Sequence, residues 1–233
     1  MNDTRGKIHL EQTSVSLNGR TILHDVSFEA GASEVHCVIG PNGSGKSTLL
    51  RVLSGDIPVE GLTLAGTNMK RLSTVERARL RSVMRTSVRP DFPYSVFEVV
   101  SWALLGTTTF KQEDVSQQVN NALTQLGIAD LAQRPVNQLS TGQLTKVNIA
   151  SVLLQGAGII LADEPEAALD PVARVDAWTQ LTSRKFTTII ATHSLDLVQK
   201  FATHVTAIKA GKIVHSCAAK ELSLDDLRAV YRR

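Results

Sequence analysis

The sequence predicts an α/β fold: a parallel sheet interleaved with helices, preceded by an antiparallel β-subdomain and interrupted by an inserted helical lobe. Three observations carry this. Apolar runs of strand length alternate with segments of helical periodicity, as a parallel sheet with crossover helices requires. The segment from Lys7 to Ala30 alternates with period two around an Asn-Gly pair. The middle, about residues 87–152, holds few strand signals and reads as helical.

Taken in order, Ile8, Leu10, Thr13, Val15 and Leu17 alternate with polar neighbours, and Asn18-Gly19 marks a hairpin turn. VHCVIG (35–40) is a continuous apolar run, as expected of a strand buried on both faces. It feeds a helix that carries Leu49, Leu50, Val52 and Leu53 and stops at Gly55. Ser73 and Glu76 have the spacing of a capping box. Val115, Val119, Ala122, Leu123 and Leu126 share one helical face, ended by Gly127. GIILAD (158–163), TTIIAT (187–192) and VTAIKAG (205–211) are further strands. Asp170-Pro171 is an N-cap and first-turn pair before a helix with Val172, Val175 and Leu181. SLDDLRAVYRR reads as a short closing helix. The expected division is one domain over 1–233, with 1–86 and 153–233 forming the sheet and β-subdomain and 87–152 the lobe.

The chain has 233 residues, enough for one substantial core. Its 42% hydrophobic and 20% charged content is that of an ordinary globular protein. Net charge is +3, a solvated surface that by itself names no partner. Two cysteines, Cys37 and Cys217, argue against a disulfide framework or a metal site and for a reducing compartment. MNDTRGKIHL does not read as a signal peptide. The longest apolar candidate, VFEVVSWALLG, is too short to span a bilayer and carries Glu98. A cytoplasmic protein able to dock on a membrane protein is expected.

GPNGSGKS (40–47) satisfies the pattern G-x-x-x-x-G-K-[ST], with the required strand before it and helix after it. Glycines let backbone N–H groups turn inward around phosphate oxygens, and the helix N-terminus adds positive potential. Lys46 is expected to reach the β- and γ-phosphates and Ser47 to ligate Mg²⁺. In LADEPEAALD, Asp163 stands at the carboxyl end of a strand, where α/β sheets bind ligands, and would hold Mg²⁺ through water. Glu164 beside it can orient and deprotonate an attacking water. His193, at the end of TTIIAT, is expected on the same edge and in reach of the γ-phosphate. LSTGQLTK (139–146) places Ser140, Gly142 and Gln143 at a helix start suited to an anion.

Together these residues resemble the nucleotide-binding subunit of ABC transporters. GPNGSGKST resembles Walker A, GIILADEP resembles Walker B with its catalytic glutamate, and ALD (168–170) resembles the D-loop. LSTGQ resembles the LSGGQ signature, and His193 the switch histidine. The five elements follow the family's order and spacing across nearly the whole chain. The resemblance implies a RecA-like P-loop NTPase core and ATP with Mg²⁺ as cofactors. It implies nucleotide contacts from Asn42, Gly43, Ser44, Gly45, Lys46, Ser47 and Thr48. Ser140, Gly142 and Gln143 would then bind the γ-phosphate of ATP held by a second copy, in a head-to-tail homodimer. Further implied partners are transmembrane permease subunits and, indirectly, a substrate-binding protein, with no nucleic acid and with residence at the cytoplasmic face of the membrane. FPYSVFEVV (92–100) is similar to the corresponding segment of ATPases that serve heme, iron-chelate and cobalamin importers.

Three positions depart from the family's pattern. Leu17 stands where an aromatic normally stacks on adenine. Thr86 stands where a glutamine normally reaches Mg²⁺. Lys146 and Ser151 replace arginines that usually follow the signature. Rival readings are a soluble ABC ATPase and a poorly hydrolysing regulatory module.

Overall fold

The computed structural model describes residues 6–84, 92–105, 112–183, 186–222 and 230–231. β1 (Ile8–Leu17) and β2 (Arg20–Ala30) form an antiparallel ribbon. Asn18 and Gly19 turn between them at φ of 49° and 77°, the type I′ geometry that matches strand twist. Ile8, Leu10, Thr13 and Val15 are buried, as their alternation predicts. Gln12 and Asp25, both at positive φ, lie at register shifts, where β-bulges bend the ribbon. β3 (Val35–Ile39) is buried throughout, and α1 (Lys46–Leu53) follows the glycine-rich loop. β4 (Thr63–Leu64) and β5 (Thr67–Asn68) complete a four-stranded sheet of order β2-β1-β4-β5.

α2 (Thr74–Leu80) opens with the expected Ser73–Glu76 capping box and leads to β6 (Arg81–Met84). α3 (Val96–Ser101), α4 (Gln112–Gln125) and α5 (Thr141–Gln155) pack on one another. Then come β7 (Ile159–Asp163), α6 (Pro171–Leu181), β8 (Thr187–Ala191), α7 (Leu195–Phe201), β9 (His204–Lys209) and β10 (Lys212–Ala218). Asp170 caps α6 through its side chain, with Pro171 in the first turn. Within SLDDLRAVYRR, only Ser223's successors Val230 and Tyr231 are described, and both are helical.

The second sheet has the order β10-β9-β3-β8-β7-β6, parallel except for β10. Alternate residues of its strands feed two cores. Val38, Ile159, Leu161, Ile189 and Ile208 pack with α1 and the antiparallel sheet. Cys37, Ile39, Ile160, Ala162, Ile190, Val205 and Ala207 pack with the helices of the other side, including Trp178 of α6 and Leu144 of α5. The expected strand at 205–211 ends at Lys209. Ala210 and Gly211, at φ of 48° and 76°, make a second type I′ turn into β10.

Candidate functional site

β3, β8 and β7 lie side by side and run parallel, so their carboxyl ends open on one edge of the sheet. Adjacent strand ends at this edge are where open α/β sheets gather ligand-binding loops. The loop after β3 needs its glycines for space as well as for dihedral freedom. A Cβ on Gly40 would stand 2.1 Å from the Ile208 carbonyl oxygen, so only glycine lets the chain leave β3 beside β9. Gly45 sits at φ 111° as the N-cap of α1 and provides no side-chain cap. The first N–H groups of α1 are thereby left to another acceptor.

Lys46 is buried, and its Nζ donates to the carbonyl oxygens of Gly40 at 2.8 Å and Pro41 at 3.2 Å. The ammonium spans the loop from within. Burial lowers its pKa, and the carboxylates of Glu164 and Asp163 act in the opposite direction. The Ser44 hydroxyl is buried in the same loop with no hydrogen-bond partner among the described residues, a polar atom that suits a ligand oxygen. Asp163, the last residue of β7, takes a hydrogen bond from Ser47. Burial nonetheless leaves its pKa raised, with Glu164 adding to the rise.

Glu164 sits at φ 46°, an uncommon conformation for a residue with a side chain. Its N–H donates to the Ala191 carbonyl at 2.8 Å, which ties the turn after β7 to the end of β8. Glu164 Oε1 lies 3.2 Å from His193 Nδ1. Lys46, Ser47, Asp163 and Glu164 line one cleft of about 1020 Å³, together with Asn42, Gly43, Gly45 and Thr48. The structure thus brings the loop, the acidic pair and His193 together at one edge.

Ser140, Gly142 and Gln143 lie elsewhere. They line a separate hollow of about 280 Å³ with Lys146 and Ala168–Asp170. Ser140 caps α5: its Oγ accepts from the Gln143 N–H at 3.2 Å, and Gln143 Oε1 accepts from the Ser140 N–H at 3.0 Å. A Cβ on Gly142 would stand 3.0 Å from the Ala168 carbonyl oxygen, so glycine lets the helix start close on the 168–170 turn. Thr86 lies outside the described residues.

Three side chains behind the site were not singled out by the sequence reading. Glu166 is 5% exposed and accepts hydrogen bonds from Trp178 Nε1 at 3.1 Å and from Thr192 Oγ1. Thr192 Oγ1 also accepts from the Ser194 N–H, so this buried carboxylate braces the turn that carries His193. Tyr231 accepts at its hydroxyl from the Gly40 N–H at 3.2 Å. Burial raises its pKa. Only the DEPEAALD run pointed toward Glu166, and nothing local pointed toward Tyr231.

The family model described as ABC transporter matches residues 23–167. A hemin import ATP-binding protein of Chelativorans sp. (strain BNC1) is 33% identical, covering 94% of this chain and 88% of the relative. A vitamin B12 import ATP-binding protein of Vibrio cholerae is 32% identical, with 93% and 91% covered. A phosphonates import ATP-binding protein of Maricaulis maris is 30% identical, with 99% and 95% covered. Among solved structures, a dimeric post-hydrolysis ATP-binding cassette bound to ADP and phosphate superposes with a TM-score of 0.82. It covers 91% of this chain and 98% of that one at 22% identity, a likeness of fold. Walker-type loop, acidic strand end and signature helix start therefore sit in a fold and family that agree: the chain belongs to the ABC transporter ATP-binding family and is an ATPase whose hydrolysis is coupled to transport.

Proposed function

We propose that this chain is the ATP-hydrolysing subunit of an importer for heme, an iron chelate or a similar metal chelate. In this reading it works as a homodimer on the cytoplasmic face of the membrane, beneath permease subunits fed by a substrate-binding protein. The observation that carries the ATPase chemistry is the convergence of Lys46, Asp163, Glu164 and His193 at three adjacent parallel strand ends. Lys46 and the N–H groups at the start of α1 neutralise and orient the phosphates. Ser47 and Asp163 would hold Mg²⁺. A hydroxyl and a carboxylate are oxygen donors of the right kind, and substrate phosphates and water complete such a shell. The bound ion would neutralise charge on the phosphate oxygens. Glu164 accepts a proton from the attacking water, and His193 holds the Glu164 carboxylate in place and faces the γ-phosphate.

Separation of the signature hollow from the cleft supports action in trans, with Ser140, Gly142 and Gln143 completing a partner's site. The 87–152 segment is read as the lobe that receives the permease. An exposed aromatic cluster supports this: Tyr94 lies 4.9 Å from Trp102 and 5.9 Å from Phe92 between ring centroids. No helix among the described residues is long and apolar enough to cross a membrane. The metal-chelate reading rests on FPYSVFEVV and on the hemin and vitamin B12 import relatives, against which the phosphonate import relative stands. It is tested by purifying the chain with its membrane partners and comparing ATPase stimulation by a hemin-loaded and a phosphonate-loaded binding protein. Stimulation by hemin is expected; stimulation by the phosphonate alone would refute it.

The hydrolytic assignment is tested by Glu164→Gln. Turnover should fall at least about a hundredfold, the usual contribution of a positioned base, while ATP binding persists and an ATP-bound dimer accumulates in gel filtration. Phosphate release at the wild-type rate would remove Glu164 from its role.

A further inference from the structure

We infer that Arg20 supplies the stacking surface for the nucleotide base, in place of the aromatic that this chain lacks at Leu17. The inference rests on the nucleotide reading of the cleft and adds a contact that reading does not contain.

The cleft has two ends. One is the phosphate end, with Lys46, Ser47 and Asp163; the other is walled by Arg20, Thr21 and Ile22 of β2 and by Ala210–Gly211 of the β9–β10 turn. The two walls are locked together. His24 N–H donates to the Gly211 carbonyl at 2.8 Å, and Gly211 N–H donates to the Ser44 carbonyl at 2.9 Å. A Cβ on Gly211 would stand 2.2 Å from the Ile22 carbonyl oxygen, so that turn lies directly on β2. Ile22 is also close to the loop, its carbonyl oxygen 3.4 Å from a Cβ placed on Gly45. Arg20 is two residues further out on the strand, about 6.6 Å beyond Ile22; a register shift falls at Ile22, and Arg20, Thr21 and Ile22 all line the cleft. A nucleotide with its phosphates on the loop has open cleft for its base on the Arg20 side.

The register explains why this residue can replace Leu17. Leu17 and Arg20 flank the two-residue turn and are direct cross-strand partners. Such partners present their side chains on one face of the ribbon, with Cβ atoms roughly 5 Å apart. Leu17 is half-buried at the margin of the core, whereas Arg20 is exposed and lines the cleft. The guanidinium is planar and weakly hydrated, so it stacks on a π-face as an ammonium does not. Stacking of this kind tolerates any base.

Equilibrium binding of Mg²⁺–ATP and of inorganic triphosphate to the full chain, wild type and variants, tests this. Arg20 is exposed beside a turn, so its variants should fold; the melting temperature checks that. Arg20→Ala should raise the Kd for ATP roughly tenfold and leave that for triphosphate within about twofold. Arg20→Lys should be as weak for ATP as Arg20→Ala, and Arg20→Tyr should recover ATP binding. Equal weakening for ATP and triphosphate, or full recovery with lysine, would show that Arg20 acts on the phosphates through charge and would overturn the inference. So would an unchanged ATP Kd in Arg20→Ala. Failure of the wild type to bind ATP would instead overturn the nucleotide reading, and this contact with it.

Discussion

At the scale of single residues, one buried polar side chain near the amino end of β3 carries a consequence for pH. His36, 3% exposed, lies with its Nε2 2.7 Å from Thr206 Oγ1. Glu34 faces it at 4.0 Å and the His204 ring at 5.8 Å between centroids. Burial, then the charge of His204, lowers the His36 pKa from 6.5 to about 3. The unfolded chain therefore binds a proton near pH 6.5 that the folded chain refuses until about pH 3. This contribution to stability is complete above pH 6.5 and is lost as pH falls toward 3, by about 1.4 kcal/mol per pH unit. Phe28 lies 4.6 Å from the His36 ring, so an aromatic is tolerable there. In urea denaturation at pH 7.5 and 5.5, His36→Phe should lose about 1.4 kcal/mol less on acidification than the wild type. Equal losses would clear His36 of the effect.

At the scale of elements, two turns of one type allow space to be separated from dihedral strain. Gly19 and Gly211 have φ of 77° and 76° in type I′ turns. Nothing lies within 4 Å of a Cβ on Gly19, whereas a Cβ on Gly211 would meet Ile22 backbone. Gly19→Ala should cost about 1 kcal/mol, the strain alone. Gly211→Ala should cost at least about 2 kcal/mol, since backbone must also move. Denaturant midpoints check both, and equal costs would mean that the β9–β10 turn yields freely. These turns also mark what the sequence could disclose. Asn18-Gly19 was legible because its chemistry is local, as were the glycine-rich loop, the capping box of α2 and the Asp170-Pro171 start of α6. β4 and β5 escaped because two-residue strands carry no period, and β10 because every one of its residues is exposed or half-buried. Lys46, Asp163, Glu164 and His193 were legible as motifs. Arg20, Glu166 and Tyr231 were not, because their places come from register and from contacts with residues distant in sequence.

At the scale of the molecule, each chain carries a phosphate-binding cleft and a separate signature hollow. If the proposed dimer pairs cleft with hollow, Lys46→Ala and Ser140→Arg damage opposite halves. Either mutant alone should be inactive. Mixed, they form a heterodimer with one intact composite site, and ATPase activity should recover to about a quarter of wild type, from half the dimers carrying one site of two. No recovery above either parent would count against pairing in trans. The sheet order has a consequence for how the protein comes into being. β3 lies between β8 and β9, so Val35 pairs with Thr188 and His36 with His204. The ribosome makes the glycine-rich loop early, but the strands that flank it arrive about 150 residues later. Until then β3 is an apolar strand with both edges open, a species prone to wrong pairing and slow to close. A nascent chain stopped before β8 contains every residue of the phosphate loop and still has no sheet to hold it. Competence to bind nucleotide is thus acquired only after β8 and β9 have been made, and a chain cut short before them cannot capture ATP as a half-made enzyme.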